Sequence, residues 1–330
     1  MIHRFCPLIG LLALLVAVPL SGQTRTPQRT PDGQPDLQGT WTNATLTPLE
    51  RGVVMAITGE RIGLPGTISL TVSDKEAVEF EKRIQDGGSF DRRDGNPDAD
   101  VSRAYNNLFV DRGTELARVD GSKRTSLIID PPDGRVPPLT PEAQRKAGAR
   151  AGGRFDSAQD RPLGERCIIG FGSAGGPPML PVGYNSNYQI VQTPGYVMIL
   201  VEMVHDVRII RLGGTHAPAN VREWLGDSIG HWEGDTLVVE TTNFTNKTRF
   251  RGSSENLRVT ERFRRIDGNT LLYRATMEDP TSFTKPWTVE YPFVATPNPT
   301  YEYACHEGNY AMFDILAGAR KADAEAKQKK

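Results

Sequence analysis

The sequence is poor in cysteine and nearly free of net charge, and both shortages restrict its function. Three cysteines occur in 330 residues without a Cys-x-x-Cys pair, so the spacing of a thiol redox motif or zinc ribbon is absent. The formal charge of −1 arises from 39 basic and 40 acidic residues. These alternate along the chain without a basic stripe, and we therefore expect no nucleic-acid partner.

Long apolar runs are missing after residues 1–22. That first stretch begins with Met1-Ile2-His3-Arg4, continues as an apolar run and ends in small residues at Ser21-Gly22, the layout of a cleaved signal peptide. No later apolar stretch approaches the length of a membrane-spanning helix, so no stable membrane insertion is expected. The sequence predicts a periplasmic or secreted protein and leaves its oligomeric state open.

Export changes the cysteine count, because Cys6 lies in the predicted signal peptide. Cys167 and Cys305 then remain, and two thiols in an oxidising compartment usually pair. We predict a disulfide bond between them. The alternative is a free thiol that acts as a nucleophile or metal ligand beside His306.

The remaining chain reads as a flexible polar linker over 23–37, a single β-rich domain over 38–320 and a disordered tail over 321–330. Ser73-Asp74-Lys75-Glu76 is a capping box that predicts a short helix. Thr140-Pro141 predicts a second helix start, with Thr as N-cap and Pro at the first helical position.

From Tyr184 onward, β-branched and aromatic residues alternate between turn sequences. The predicted strands are Thr125–Asp130, Tyr188–Gln192, Tyr196–Glu202 running on into Val207–Ile210, Thr236–Thr242, Leu257–Ile266, Thr270–Met277 and Trp287–Phe293. Such consecutive hairpins predict a mainly β fold. We expect an antiparallel meander that forms a lipocalin-like barrel or sandwich, with long loops and two or three short helices.

Gly39-Thr40-Trp41 resembles the Gly-x-Trp at the start of lipocalin-type barrels, where it closes the barrel floor. The resemblance implies a first strand here. Our first functional hypothesis is a barrel cavity that binds a small hydrophobic molecule. Arg249 and Arg251, expected on one strand face, could hold a carboxylate. The predicted aromatic lining is Trp41, Tyr196, Tyr273, Trp287 and Tyr291.

Two segments break the alternation of polar and apolar residues. If 201–208 is one strand, His205 lies on its apolar face, and Glu202, Asp206 and Arg208 lie on the other. His205 is then either a core histidine or a group that points into the cavity. The second segment is 303–310, a polar stretch that contains His306 and Glu307 and follows a strand.

These breaks support a second hypothesis, a cofactor-independent lyase, hydratase or isomerase. His205 and His306 would perform acid-base chemistry with Glu202, Asp206 or Glu307. No cofactor is expected. Zn²⁺ is the alternative, on three histidines and one carboxylate, although no His-x-His or His-Glu-x-x-His spacing favours it. The residues of that alternative are His205, His231 and His306 with Glu202, Glu240 or Glu307.

The run from Tyr184 to Arg320 resembles a family of exported bacterial proteins of uncharacterised function. The stretches that carry the resemblance are Glu202–Asp206, Trp232–Val239 and Tyr303–Tyr310. It implies export and a β fold and says nothing about chemistry. A third hypothesis, an envelope structural or interaction protein, would account for the long loops rich in Gly, Pro and Arg.

Overall fold

The computed structural model describes the greater part of the chain, in seven pieces. These are residues 29–55, 61–63, 69–87, 95, 110–151, 157–170 and 174–328. The predicted signal peptide, Cys6 and most of the predicted linker lie outside the described residues. Of the linker, 29–37 is described, and it ends on the buried Leu37.

The main feature is a closed nine-stranded β-barrel, which confirms the predicted fold class. The ring closes because β1 (Gly39–Thr42) pairs with both β8 (Asn187–Thr193) and β15 (Trp287–Ala295). A further short strand, β7 (Ile128–Asp130), adds to β15 beyond β1. Neighbouring strands are antiparallel except β10 and β11, which are parallel. The strands in the ring are β1 Gly39–Thr42, β8 Asn187–Thr193, β9 Tyr196–Val201, β10 Val207–Leu212, β11 Asp227–Glu233, β12 Thr236–Thr242, β13 Arg258–Arg265, β14 Thr270–Glu278 and β15 Trp287–Ala295.

Short strands lie beside the barrel. β4 Thr71–Val72, β5 Arg118–Val119 and β6 Ser122–Arg124 form a three-stranded sheet, and β2 Val53–Met55 pairs with β3 Arg61–Gly63. β7 is Ile128–Asp130, which lies inside the strand predicted over 125–130.

Three helices accompany the sheet: α1 Asp74–Gly87, α2 Pro141–Ala151 and α3 Ala311–Gln328. Both predicted helix starts are confirmed. The Ser73 amide donates to Glu76 (2.9 Å), and the Ala143 amide donates to the Thr140 hydroxyl (3.2 Å). Within the described ranges, none of the helices has both the length and the apolarity that crossing a membrane needs.

The predictions for two segments need correction. β9 ends at Val201, and β10 runs back beside it, because residues 202–205 form a tight turn closed by the Val201 amide and the Asp206 carbonyl (2.8 Å). The predicted alternation over 201–208 therefore does not exist. At the other end of the chain, 321–328 is helical rather than a disordered tail, since α3 continues through it.

The barrel has two unlike ends. Short turns after β8, β11 and β13 lie at one end, and the register of the pairs places the long connections at the other. We call the second the loop-rich end. At the short-turn end Trp41 closes the barrel, with its indole N–H donating to the Leu37 carbonyl (3.0 Å) and the Arg265 guanidinium 5.4 Å above the ring.

Part of the barrel interior is filled by the chain itself, at residues 174–179. The Tyr188 hydroxyl donates to the Ala174 carbonyl (3.0 Å), and the Met179 amide donates to the Tyr273 hydroxyl (3.0 Å). The Tyr291 hydroxyl and the Asn43 amide nitrogen both donate to the Met179 carbonyl. This main-chain segment occupies space that the sequence assigned to a ligand.

Candidate functional site

The turn between β9 and β10 is the first polar centre at the loop-rich end. Glu202 is 2% exposed, and its carboxylate accepts hydrogen bonds from the Asn187 side-chain amide (3.0 Å) and the Tyr301 main-chain amide (3.0 Å). The second contact joins the turn to the segment that follows β15. The turn is thereby joined to Tyr301, two residues before 303–310, the second segment singled out from the sequence.

The same turn has an uncommon backbone. Val204 and His205 have φ of 59° and 44°, in the left-handed region that favours glycine. For a β-branched residue such as Val204 this is a costly conformation. His205 is exposed, which corrects its predicted place on an apolar strand face. Strain of this kind often marks a functional segment.

Asp206 ends the turn in a half-buried position. Burial raises the pKa of its carboxyl to about 6, although a hydrogen bond from the Gly170 amide and the charge of His205 act in the opposite direction. The Gly170 amide lies 2.8 Å from Oδ2. A Cβ at Gly175 would lie 2.7 Å from the same oxygen, so a larger residue there would displace this carboxylate. A carboxyl with this pKa can exchange protons near neutral pH.

The predicted disulfide between Cys167 and Cys305 is confirmed, and the free-thiol alternative is wrong. It joins two segments 138 residues apart at the loop-rich end. His306 and Glu307, next to it, are exposed. Across the described residues, neither His306 nor Glu307 has a side-chain hydrogen bond or ion pair to the 202–206 turn. The predicted acid-base residues therefore share one end of the barrel without forming one contact network.

The part of the chain that the structure describes gives no support to the zinc alternative. No group of three His, Cys, Asp or Glu residues there could hold a metal ion. His231 lies on the outer face of β11 and contacts Glu233 (3.1 Å).

A cluster around His216 was missed by the sequence reasoning, which assigned this histidine to the loop surface. Its Nδ1 lies 2.9 Å from Asp227 and its Nε2 lies 3.1 Å from Glu240. Arg211 and Arg258 pair with the same two carboxylates. The ion pairs fix the connection between β10 and β11 against the outer wall. No spacing in the sequence signals them, because the crossover alone brings these residues together.

A buried ion pair inside the barrel was also missed. Both nitrogens at the end of the Arg208 guanidinium donate to Glu261, and these two side chains are 1% and 0% exposed. Burial lowers the pKa of Arg208, but the charge of Glu261 and its hydrogen bonds outweigh this effect and raise it. The Tyr273 hydroxyl also donates to Glu261 (2.8 Å). Inward alternation of Val259, Glu261 and Phe263 could have revealed this pair.

The predicted aromatic lining belongs to the core rather than to an open cavity in the described region. Trp41, Tyr273, Trp287 and Tyr291 are at most 1% exposed, and they pack with the residues that fill the barrel. Tyr196 lies on the outer wall and is 52% exposed.

Arg249 and Arg251 do not share a strand face. They flank the buried Phe250, whose backbone pairs with Ser253 across a turn that contains Arg251 at φ 48°. Each arginine lines a different cleft.

The cleft at Arg251, which we call the mouth cleft, has a volume of about 320 Å³ at the loop-rich end. Arg112 and Arg251 are its cationic side chains, and Glu50 is its carboxylate. Burial lowers the pKa of Arg251, although Glu50 opposes this effect, and much of the residue's surface remains exposed. Burial also lowers the pKa of Arg112. The apolar side chains of the cleft are Leu46, Pro48, Leu49, Ile84, Leu127, Leu180, Pro181 and Val182.

A larger groove, of about 1080 Å³, lies outside the barrel against residues of β13, β14 and β15. It contains acidic residues such as Asp111 and Glu115 as well as the basic residues Arg118 and Arg264. This mixture of charges does not favour one ligand chemistry, so the mouth cleft is the better candidate site.

Comparisons with protein-family models, with curated protein sequences and with solved structures gave no match.

Proposed function

We propose that the protein is an exported barrel protein that binds a small amphipathic carboxylate in the mouth cleft. The observation that carries the proposal is a partly dehydrated cation, Arg251, in a cleft whose walls are mostly apolar. This arrangement has the usual composition of a small-molecule site, with apolar walls and a few placed polar groups.

The walls favour an apolar ligand body. Leu46 and Leu180 are buried, and Leu49 and Val182 are half-buried, so their side chains offer contacts at low entropic cost. A ligand that covers the half-buried Leu49 and Val182 removes their remaining apolar surface from water, which is the main favourable contribution to binding such molecules.

The arginine favours an anionic head group. Within the described residues, Arg251 has no hydrogen bond or ion pair, and Glu50 contributes only a longer-range attraction while its carboxylate accepts from the Val136 amide (2.9 Å). A guanidinium presents two parallel N–H groups to a carboxylate. A bound carboxylate would supply the partner that the described residues do not.

Export and the barrel fold agree with this proposal. The disulfide fits an oxidising compartment, and the predicted signal peptide would deliver the chain there. The mouth cleft replaces the barrel interior as the ligand site, because residues 174–179 and the aromatic core fill the interior.

Calorimetric titration with decanoate and with decanol tests the proposal, since the two probes differ in head-group charge. We expect decanoate to bind about tenfold more tightly, because a charge-assisted pair at Arg251 contributes about 1.4 kcal/mol. Arg251→Gln should remove this preference, and Arg145→Gln, on the exposed surface of α2, should keep it.

An equal affinity of the unmodified protein for the two probes would overturn the proposal.

The second candidate, acid-base catalysis at the 202–206 turn, is favoured by the pKa of Asp206 and the strained backbone. NMR can detect whether a bound ligand is chemically converted. Conversion by the unmodified protein but not by Asp206→Asn would favour this enzyme instead.

A further inference from the structure

A second cleft at the loop-rich end has a different character. Its volume is about 270 Å³, and its walls come from 159–170 and from Lys247 and Arg249. We call it the basic cleft. It shares no lining residue with the mouth cleft, and the buried Phe250 lies in the chain between the arginines of the two clefts.

Four cationic side chains line the basic cleft: Arg161, Arg166, Lys247 and Arg249. No acidic residue is among its described lining residues. The nearby Glu165 accepts a hydrogen bond from Arg161 (2.7 Å) and compensates one charge. The charged lining residues of the cleft are therefore all basic. The whole chain has a formal charge of −1, so this local excess is not a general property of the surface.

Arg166 and Lys247 are the two cations of the cleft without a partner in the described part of the chain. Arg166 is half-buried and Lys247 is exposed, and neither side chain has a hydrogen bond or ion pair with a residue in the described part of the chain. Two loops distant in sequence bring these like charges to one cleft, which is unfavourable unless an anion lies between them. The arrangement therefore indicates an anion site.

We propose that the basic cleft binds a phosphate group. A phosphate ester carries close to two negative charges at neutral pH, which matches the two cations Arg166 and Lys247, whereas a carboxylate would compensate only one of them. Arginine matches phosphate oxygens with two parallel N–H groups, and lysine adds a point charge. Pro162, Leu163 and Ile169 supply apolar wall beside the cations for the rest of a small ester.

The disulfide constrains one wall of this cleft before any ligand binds. Cys167 follows Arg166 directly, and its bond to Cys305 attaches this wall of the cleft to another segment of the chain. A cation held in place loses less conformational entropy when the anion binds. The basic cleft needs neither Arg251 nor the mouth cleft, so this proposal stands independently of the proposed function.

Titration calorimetry with inorganic pyrophosphate tests the proposal directly. Lys247→Gln and Arg166→Gln each remove one charged contact. We therefore expect each variant to bind pyrophosphate about tenfold more weakly than the unmodified protein. Lys285→Gln is the matched control, because Lys285 is an exposed lysine outside the cleft, and it should bind as the unmodified protein does. Circular dichroism verifies that each variant is folded.

A second arm separates a free phosphate ester from a lipid head group. Cosedimentation with phosphatidylglycerol vesicles that is lost in Lys247→Gln, without pyrophosphate binding, would assign the phosphate to a lipid. Pyrophosphate binding without cosedimentation would assign it to a soluble ester. The proposal is overturned if neither probe binds, or if Lys247→Gln and Lys285→Gln weaken binding equally.

Discussion

At the scale of single residues, Asp206 links the geometry of the loop-rich end to pH. Its side chain is half-buried between the 202–206 turn and the Gly170 amide, and burial raises its pKa to about 6 from the ordinary 3.8. The folded protein therefore keeps this proton at pH values where the unfolded chain has lost it. Ionisation of Asp206 opposes folding.

We predict that the free energy of unfolding, relative to that of Asp206→Asn, falls as pH rises from about 4 to about 6. Below this window Asp206 is protonated in both the folded and the unfolded state, and above it Asp206 is ionised in both. The difference in unfolding free energy between the two proteins is therefore constant outside the window. The shift corresponds to at most about 3 kcal/mol, and solvent screening of a half-buried group reduces that amount. Urea denaturation of both proteins at several pH values measures the effect.

Asp279→Asn is the control, because we expect its unfolding free energy, compared with that of the unmodified protein, to change with pH in the opposite direction. Burial raises the pKa of Asp279, but hydrogen bonds from Ser253 and Thr281 outweigh burial and lower it. The stability from this carboxylate is present above its unfolded pKa and is lost as pH falls through the folded value. If the Asp206 and Asp279 comparisons had the same pH slope, our account of Asp206 would be wrong.

At the scale of elements, the decisive contact is that of Gly170 and Gly175 with Asp206 in the 202–206 turn. Gly175 approaches Asp206 so closely that a methyl group would collide with Oδ2, which the Gly170 amide holds in place. The carboxylate cannot move away without losing that hydrogen bond.

We expect Gly175→Ala to lower the free energy of unfolding by about 1–3 kcal/mol, the usual cost of overpacking. Gly268→Ala is the matched control, because a Cβ at Gly268 meets open space and should leave stability nearly unchanged. Thermal unfolding followed by circular dichroism compares the two. Equal stability of both variants would mean that this contact does not constrain the turn.

Strand prediction succeeded where a local turn signal was present and failed where it was absent. Thr193-Pro194-Gly195 and Asp267-Gly268-Asn269 mark their hairpins, and the flanking strands lie within two residues of their predicted bounds. The turn at 202–206 has no glycine or proline, because Val204 and His205 adopt the left-handed conformation themselves. Tertiary contacts of Glu202 and Asp206 stabilise this turn, and a single sequence does not reveal them.

β11 was missed for a related reason. Its central Gly230 weakens the strand pattern, yet the structure requires glycine there, since a Cβ would lie 2.9 Å from the Ile210 side chain on β10. The neighbour that explains Gly230 is reached only through the parallel pairing of β10 with β11.

At the scale of the whole molecule, the disulfide is the longest-range covalent constraint. It closes a loop of 138 residues and joins the wall of the basic cleft to the segment that contacts Glu202. In the chain-entropy description, a loop of this length contributes up to about 5 kcal/mol.

Replacing both Cys167 and Cys305 by serine should therefore lower the free energy of unfolding by about 2–5 kcal/mol. Urea denaturation measures this loss. The unmodified protein in reducing agent should show the same loss, whereas the serine variant should not respond to the agent. A variant as stable as the unmodified protein would show that packing alone holds the two segments together.

The sequence by itself determined the elements whose causes are local. Strand alternation, turn residues and helix caps predicted the barrel strands and two helix starts, and the predicted compartment together with the cysteine count led to the disulfide. The tertiary structure alone decided which polar groups meet. The Arg208–Glu261 pair, the filled barrel interior and the separation of Arg249 from Arg251 depend on contacts between segments far apart in the chain. Such contacts follow from barrel closure and strand register, which no short stretch of sequence contains.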